Sequence, residues 1–422
     1  MISTNANRNI ATPQTPDDDP SALTLDAVFD AHTRIAPHIA RTPTLRADKL
    51  SLLTGADLWM KLECLQFTGS FKQRGALNKL LSLDDAARQR GVIAASAGNH
   101  AQGVAYHAQA MAIPATIVMP TTTPDVKVRQ TRALGAEIVL YGDNFDQANG
   151  HALARCKDDD LTYVHPFDDP AVIAGQATIA LEMLDDAPLP DCVLVPIGGG
   201  GLMAGMALVL RQQHPEIEII GVQTELFPSM VNALDAGTRP TGGDTLAEGI
   251  AVREAGHLTR TMIAARVDDI VLVNERHLEK ALTLIMNEQK ILVEGAGAAG
   301  LAAMLCDAKR FQGKRVSTVF CGGNIDQRLL SMILMRDLAR SGRLARLRVQ
   351  LLDKPGQLVR VSSIVARQDG NVIDVGHHRT YSDLPAKMTC MDLTIDTQGQ
   401  DHLNRILDDL RGEGYDVEIA AY

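Results

Sequence analysis

Across its 422 residues the chain has no uninterrupted apolar run long enough to span a bilayer. A membrane-embedded protein is therefore not expected. It also lacks the cysteine spacing of a disulfide scaffold or a compact zinc site. Its six cysteines (Cys64, Cys156, Cys192, Cys306, Cys321, Cys390) are scattered, and no Cys-x-x-Cys pair occurs. That usage fits a reducing cytoplasm, and no metal is expected. Positive charge is in deficit, 41 Lys and Arg against 51 Asp and Glu, giving a formal net charge of −10. Such a balance argues against nucleic acid or an anionic membrane as a partner. The first twenty residues lack the apolar core of a secretory signal, so an exported precursor is not expected. Residues 1 to about 20 read instead as a disordered Pro/Asp/Thr tail. Beyond that tail there is no low-complexity segment and no tandem repeat.

What remains is ordinary globular material, 45% hydrophobic and 22% charged, long enough for two or three domains with their own cores. From Leu25 to about Leu338 short β-branched apolar runs alternate with Ala-rich helical stretches. The spacing predicts strands at Asp57–Leu62, Gly91–Ala95, Ala115–Met119, Glu137–Tyr141, Cys192–Pro196, Glu218–Gln223, Ile270–Val273 and Val316–Phe320. Several are apolar on both faces, as parallel strands covered by helices must be, so the fold class is α/β with open parallel sheets. Near Gly342 the pattern changes. Strand Leu347–Leu352, helix Pro355–Gln368, strands Asn371–Arg379 and Lys387–Ile395, helix Gln400–Glu413 and strand Asp416–Ala420 give a ferredoxin-like βαββαβ unit over 343–422. Asp353 is the expected N-cap of its first helix, with Pro355 in the first turn and Gly370 closing it.

Four motifs carry chemistry. In Gly69-Ser70-Phe71-Lys72-Gln73-Arg74-Gly75-Ala76 a small-residue loop leads into a helix, which puts Lys72 near a helix N-terminus beside Phe71. Positive helix-end charge and apolar cover lower a lysine's pKa, the environment that a Schiff-base lysine requires; a surface lysine at a helix start is the alternative. Ser96-Ala97-Gly98-Asn99-His100-Ala101-Gln102-Gly103 follows a strand and opens a helix. Its amides are placed to receive a carboxylate at the strand end where α/β sheets bind ligands, or it is simply a polar turn with a cap. Ile197-Gly198-Gly199-Gly200-Gly201-Leu202 lies between a strand and a helix. Four glycines let several backbone N–H groups converge on an anion, most naturally a phosphate, and no Gly-Lys-Ser/Thr follows to make it a nucleotide-triphosphate loop. Cys321-Gly322-Gly323-Asn324 closes a fourth strand, with Cys321 either an inert buried thiol or a ligand-facing one. Gly295-x-Gly297-x-x-Gly300 matches the dinucleotide fingerprint, but the next strand ends in Cys321 without the acid that would hold a ribose, so nicotinamide binding is set aside.

Together and in this order the motifs resemble the fold type II pyridoxal-phosphate enzymes, most closely threonine dehydratases, over roughly residues 25–335. The resemblance implies two open, mostly parallel sheets in a catalytic domain spanning 21–338, with a smaller subdomain inserted at about 60–165. It implies pyridoxal 5'-phosphate as cofactor, Lys72 as the lysine that carries it, and the Lys72 amine as the base for the Cα proton. Gly198, Gly199, Gly200, Gly201 and Leu202 would hold the phosphate, Asn99 the ring hydroxyl, Phe71 the ring and Cys321 the ring nitrogen. Gly249, in Ala247-Glu248-Gly249-Ile250, and Glu294 match further site-lining positions. Ser96, Ala97, Gly98, Asn99 and His100 would hold the substrate carboxylate. The expected reaction is deamination of L-threonine, and more slowly L-serine, to 2-oxobutanoate or pyruvate and ammonia.

Two departures narrow the choice within the family. Ala97 stands where serine racemases of this fold carry a serine acid/base, and Gln223 and Ser229 stand at the two carboxylates of a racemase-type divalent-metal site, with Glu225 nearby. Hard cations want carboxylate oxygens, so no such site is expected. Serine racemisation, deamination of 3-hydroxyaspartate and a non-catalytic amino-acid sensor remain the competing readings. The C-terminal unit resembles an ACT domain, which implies an amino-acid effector held around Pro355, Gly356, Gln357, Leu358, Asn371, Val372 and Ile373, or a module that only dimerises. A homodimer or homotetramer is expected by the same resemblance, as are allosteric control and a place in isoleucine biosynthesis.

Overall fold

The computed structural model describes residues 23–378 and 385–420. The expected tail and the end of the strand drawn to Arg379 therefore lie outside the described residues. The chain divides into two compact units, Met1–Ile325 and Asp326–Tyr422. Helix Gln327–Arg340, capped by Asp326 through the Leu329 N–H, falls with the second unit, so the division lies upstream of the change of pattern at Gly342.

The first unit holds two sheets. The larger uses β1 (Thr44–Arg46), β2 (Asp57–Lys61), β7 (Cys192–Pro196), β8 (Glu218–Thr224), β9 (Asp269–Val273) and β10 (Arg315–Val319), in the order β1-β2-β10-β7-β8-β9. Only β1 runs antiparallel to its neighbour. The smaller sheet, β3 (Val92–Ala95), β4 (Ala115–Met119), β5 (Glu137–Leu140) and β6 (Thr162–Tyr163), is wholly parallel in the order β5-β4-β3-β6. It is built from chain lying between β2 and β7. Every residue of β3, β4 and β7 is buried, which is why their sequences are apolar runs, broken only by Thr116, rather than alternating ones. The glycine-rich helix Gly295–Cys306 earns its composition by packing. A Cβ on Gly295 would collide with the Leu246 carbonyl, one on Gly300 with the Thr318 hydroxyl, and one on Gly297 would come within 2.7 Å of the Gly322 carbonyl oxygen. The fingerprint-like glycines thus serve close packing.

Beneath the helix Lys72–Leu81 lies a buried network of charge. The Arg74 guanidinium donates to both oxygens of Glu63 (2.7 and 2.8 Å) and to both of Glu182 (2.8 Å each). Lys61 Nζ donates to Glu182 at 2.6 Å and to the Thr42 carbonyl at 2.6 Å. Two cations thus meet two carboxylates, all of them essentially fully buried.

The second unit is a four-stranded antiparallel sheet, β11 (Leu344–Leu352), β12 (Asn371–His378), β13 (Met388–Asp396) and β14 (Asp416–Ile419), in the order β12-β13-β11-β14. With helices Gln357–Arg367 and Gln400–Gly412 it makes the βαββαβ unit read from the sequence. The two helices supply Val361, Ile364, Val365, Leu403, Ile406, Leu407 and Leu410 to its core, against Leu347, Val349, Met391 and Leu393 of the sheet. Its first helix starts two residues after Pro355. The cap position belongs to Gly356, whose φ of +87° only glycine adopts without strain, and not to Asp353.

Candidate active site

Every candidate catalytic and cofactor residue falls in the first unit, around the C-terminal ends of β3, β7 and β10. Lys72 is the first residue of its helix, with Phe71 in the cap position. The approach to it is stitched to the segment leaving β10. Ser70 pairs with Gly322, Phe71 N–H donates to the Cys321 carbonyl at 3.0 Å, and Gly323 N–H donates to the Gly69 carbonyl at 2.9 Å. Gly69 has φ +71°, and a Cβ there would meet Asn324 Oδ1 at 2.5 Å, so this close approach requires glycine. Lys72 Nζ donates to the Pro166 carbonyl at 2.7 Å and lies 5.3 Å from the centre of the Phe71 ring. Burial pushes its pKa down to about 8, while Cys321 and Glu294 pull it the other way. A substantial fraction is thus neutral amine near physiological pH.

The tetraglycine segment turns from β7 into helix Gly201–Gln213, with Gly200 at φ +102°. Thr259 Oγ1 donates to the Gly199 carbonyl at 2.6 Å and ties the turn from behind. A Cβ on Gly199 would run into the Phe167 ring, and one on Gly201 would meet the Phe167 carbonyl oxygen at 2.8 Å. Among the described residues, the N–H groups of Gly198, Gly199, Gly200, Gly201 and Leu202 donate to no protein acceptor. Gly199 through Leu202 are buried. Buried unpaired N–H groups are costly, and a run of them at a helix N-terminus is satisfied by an anion. The residues present therefore fit the phosphate of pyridoxal phosphate, with Lys72 as the amine for its aldehyde.

Ser96 to His100 follow β3. Gly98 N–H donates to Ser96 Oγ at 3.2 Å, and a Cβ on Gly98 would meet nothing within 4 Å, so this side of the turn is open. Among the described residues, the N–H groups of Ala97, Asn99 and His100 have no protein acceptor. His100 is buried with Nε2 on the Val164 carbonyl at 2.8 Å, and burial, reinforced by Lys72, pushes its pKa down to about 3. The imidazole is therefore neutral and Nε2 carries its proton.

Asn99 is held from both ends. Its Nδ2 donates to Glu294 Oε1 at 2.8 Å, and its Oδ1 accepts from Asn324 Nδ2 at 2.8 Å, which also donates to the Thr68 carbonyl at 2.8 Å. One Nδ2 hydrogen is left over for a further partner. Glu294 stands at the start of helix Gly295–Cys306, and a Cβ on Gly249 would come within 3.1 Å of its Oε1. Burial raises the Glu294 pKa to about 7, against the pull of Asn99. Burial likewise raises the Cys321 pKa well above its ordinary value, so this residue is a thiol and not a thiolate.

The Glu294 carboxyl, whose folded pKa of about 7 exceeds its ordinary 4.5, binds more protons folded than unfolded between those values. Its stabilising share is complete below the lower value and is lost as pH rises through the upper one. Melting of the Glu294→Gln apoprotein between about pH 5 and pH 8 should therefore show a smaller loss of stability than wild type. Parallel wild-type and variant profiles would show that Glu294 does not titrate in this window.

The structure thus brings Lys72, Ser96–His100, Gly198–Leu202, Gly249, Glu294 and Cys321 together in one unit. Gln223 and Ser229 meet each other behind the glycine turn, Nε2 to Oγ 3.3 Å, and Glu225 is exposed. The effector candidates lie in the second unit, Pro355 to Leu358 at the turn into its first helix and Asn371 to Ile373 at the start of β12. Missed from the sequence were Pro166, Phe167, Thr259 and Asn324. Pro166 acts through its carbonyl, Phe167 and Thr259 through contacts with the glycine turn, and none of these has a side-chain signature. Asn324 was legible as part of Cys321-Gly322-Gly323-Asn324, but its partner Asn99 lies 225 residues away.

The fold and the lysine–glycine site define a class. The chain belongs to the pyridoxal-phosphate dependent enzyme family, whose model matches residues 35–322. Within it, the chain is 42% identical over 399 residues to the L-threonine ammonia-lyase of Thermotoga maritima, covering 94% of this chain and 99% of the relative. Among solved structures, the processed threonine deaminase isoform 2 of Solanum lycopersicum superposes with a TM-score of 0.69 at 37% identity, covering 75% of this chain and 95% of the other. Maize serine racemase superposes with a TM-score of 0.70 at 31% identity, covering 76% and 99%.

Proposed function

We propose that this chain is a pyridoxal-phosphate-dependent L-threonine ammonia-lyase, with L-serine as a slower substrate. The observation that carries the reading is the conjunction of a desolvated lysine, Lys72, with a buried run of acceptor-free N–H groups, Gly198 to Leu202. The likeness to threonine ammonia-lyases along nearly the whole chain supports the choice of substrate. Gly198 to Leu202 would hold the cofactor phosphate, Phe71 and Asn99 would hold the ring and its hydroxyl, and Cys321 would serve the ring nitrogen. Gly249 leaves room beside Glu294 at the site wall. When bound, the cofactor supplies the electron sink for carbanionic character at Cα.

The protein's part is position and proton movement. The N–H groups of Ala97, Asn99 and His100, with the Ser96 hydroxyl and Gly98, receive the substrate carboxylate at the helix N-terminus. The Lys72 amine, neutral in substantial fraction near pH 8, takes the Cα proton. Loss of the β-hydroxyl and hydrolysis then give 2-oxobutanoate and ammonia. Ala97 offers no acid/base on the opposite side, so racemisation lacks its second base.

The βαββαβ unit we read as an ACT-type module, with an amino-acid effector taken by the turn Pro355–Leu358 and the strand start Asn371–Ile373. Allosteric control by that effector, a homo-oligomer, a cytoplasmic setting and a role in isoleucine biosynthesis belong to the same proposal. Six free cysteines accord with a reducing compartment. Purified protein supplied with pyridoxal phosphate and L-threonine should release 2-oxobutanoate faster than it releases pyruvate from L-serine. Cofactor binding without 2-oxobutanoate would move the substrate assignment to serine or 3-hydroxyaspartate. D-serine formation would move the reaction itself to racemisation.

A further inference from the structure

Behind the glycine turn sits a fully buried amide, Gln223, at the C-terminal end of β8. Its nitrogen is ringed by three oxygens: the Phe227 carbonyl at 3.3 Å, Ser229 Oγ at 3.3 Å and the Ile197 carbonyl at 3.4 Å. Its oxygen accepts from the N–H groups of Met230 and Val231, both at 3.1 Å. Three acceptors around two hydrogens leave the nitrogen side rich in lone pairs, and the long distances show the hydrogens shared among them.

The glycine turn is referenced to this one side chain at two points, its entry at Ile197 and the back of Gly200. Ile197, whose carbonyl Gln223 holds, is the residue before Gly198. Met230, whose N–H Gln223 accepts, places its methyl group behind Gly200, where an added Cβ would lie 2.8 Å from it. We propose that Gln223 is a positioning residue that fixes the Gly198–Gly201 turn for phosphate, its amide NH2 occupying a ring of oxygens that a hard cation would otherwise be needed to fill. The proposal rests on the phosphate reading of that turn. A carboxylate at this position would keep the bonds from Met230 and Val231. It would also set a negative oxygen against the Ile197 and Phe227 carbonyls, with only the Ser229 hydroxyl able to donate to it, a repulsion that a cation or a proton relieves.

The test uses the full-length apoprotein, titrated with pyridoxal phosphate and separately with pyridoxal, following protein fluorescence. Gln223→Leu should weaken pyridoxal phosphate binding by about tenfold or more, because two N–H groups and two buried carbonyls lose their partner. Its affinity for pyridoxal should change little. Gln223→Glu should show the same selective loss in chelator and recover it with magnesium or calcium chloride, to which wild type is indifferent. That recovery decides the matter even if the leucine variant fails to fold, and a side chain that merely fills space would not produce it. Wild-type phosphate affinity in the leucine variant, or equal losses for both aldehydes, would overturn the proposal. So would a glutamate variant that neither cation changes. Wild type that binds neither aldehyde would overturn the reading of the function as well.

Discussion

Lys72→Ala should lower turnover of L-threonine by about a thousandfold or more, since in the proposed function one group both carries the cofactor and moves the Cα proton. The absorbance of lysine-bound pyridoxal should vanish with it. Pyridoxal phosphate should still bind, because the N–H groups of Gly198 to Leu202, without an acceptor among the described residues, are unchanged. A second consequence separates this lysine from a structural one. Burial holds the Lys72 pKa at about 8 in the folded chain, below its ordinary 10.5. Between those values the unfolded chain binds the extra proton, so wild-type apoprotein gains stability from this group as pH rises from 8 toward 10.5, and bears the full cost of the buried charge below 8. The alanine apoprotein should therefore melt no lower than wild type near neutral pH, with its advantage shrinking as pH rises. A variant that melts well below wild type at neutral pH would mean that Nζ and the Pro166 carbonyl form a structural tie.

The parts of this site that the sequence displays are those whose chemistry is local. A glycine run between a strand and a helix, or a lysine at a helix start, declares its surroundings within a few residues. β4 and β7 have the predicted bounds, Ala115–Met119 and Cys192–Pro196, because a strand buried on both faces is apolar almost throughout, Thr116 being the one polar residue of the two. β1 and β6 escaped notice. They have three and two residues, and β1 is an antiparallel edge strand with only Thr44 buried. Asp353 has the chemistry of an N-cap for helix Gln357–Arg367, because acidic residues favour that position, but the left-handed turn at Gly356 sets the start later. What no local pattern reveals is a contact made by backbone, such as Pro166 with Lys72, or by partners far apart in the chain, such as Asn99 with Glu294 and Asn324.

Arg74 is the extreme case, a charged residue in a helix that composition alone would place at the surface. Arg74→Met should destabilise the protein by about 3–5 kcal/mol, a large part of what a typical domain has, because it leaves Glu63 and Glu182 buried with Lys61 as the remaining cation. Burial alone would push the Glu182 carboxyl up, yet Arg74 and Lys61 together hold it below its ordinary range. A carboxylate held low stabilises the fold above its unfolded pKa and loses that share as pH falls through the folded value. Without Arg74, protonation relieves the stranded charge, so the deficit should be greatest near neutrality and should narrow as the solution is acidified toward the ordinary carboxyl range. Urea midpoints at about pH 7.5 and pH 4.5 measure both effects. Arg74→Lys should recover only part of the loss, since an ammonium cannot span two carboxylates as the guanidinium fork does. A deficit of the same size at both pH values would assign the loss to packing of the side-chain stem rather than to charge. Because Arg74 lies two residues after Lys72 on the same helix, the methionine variant should also loosen that lysine. A lower yield of lysine-bound pyridoxal at temperatures where the variant is still folded would show it.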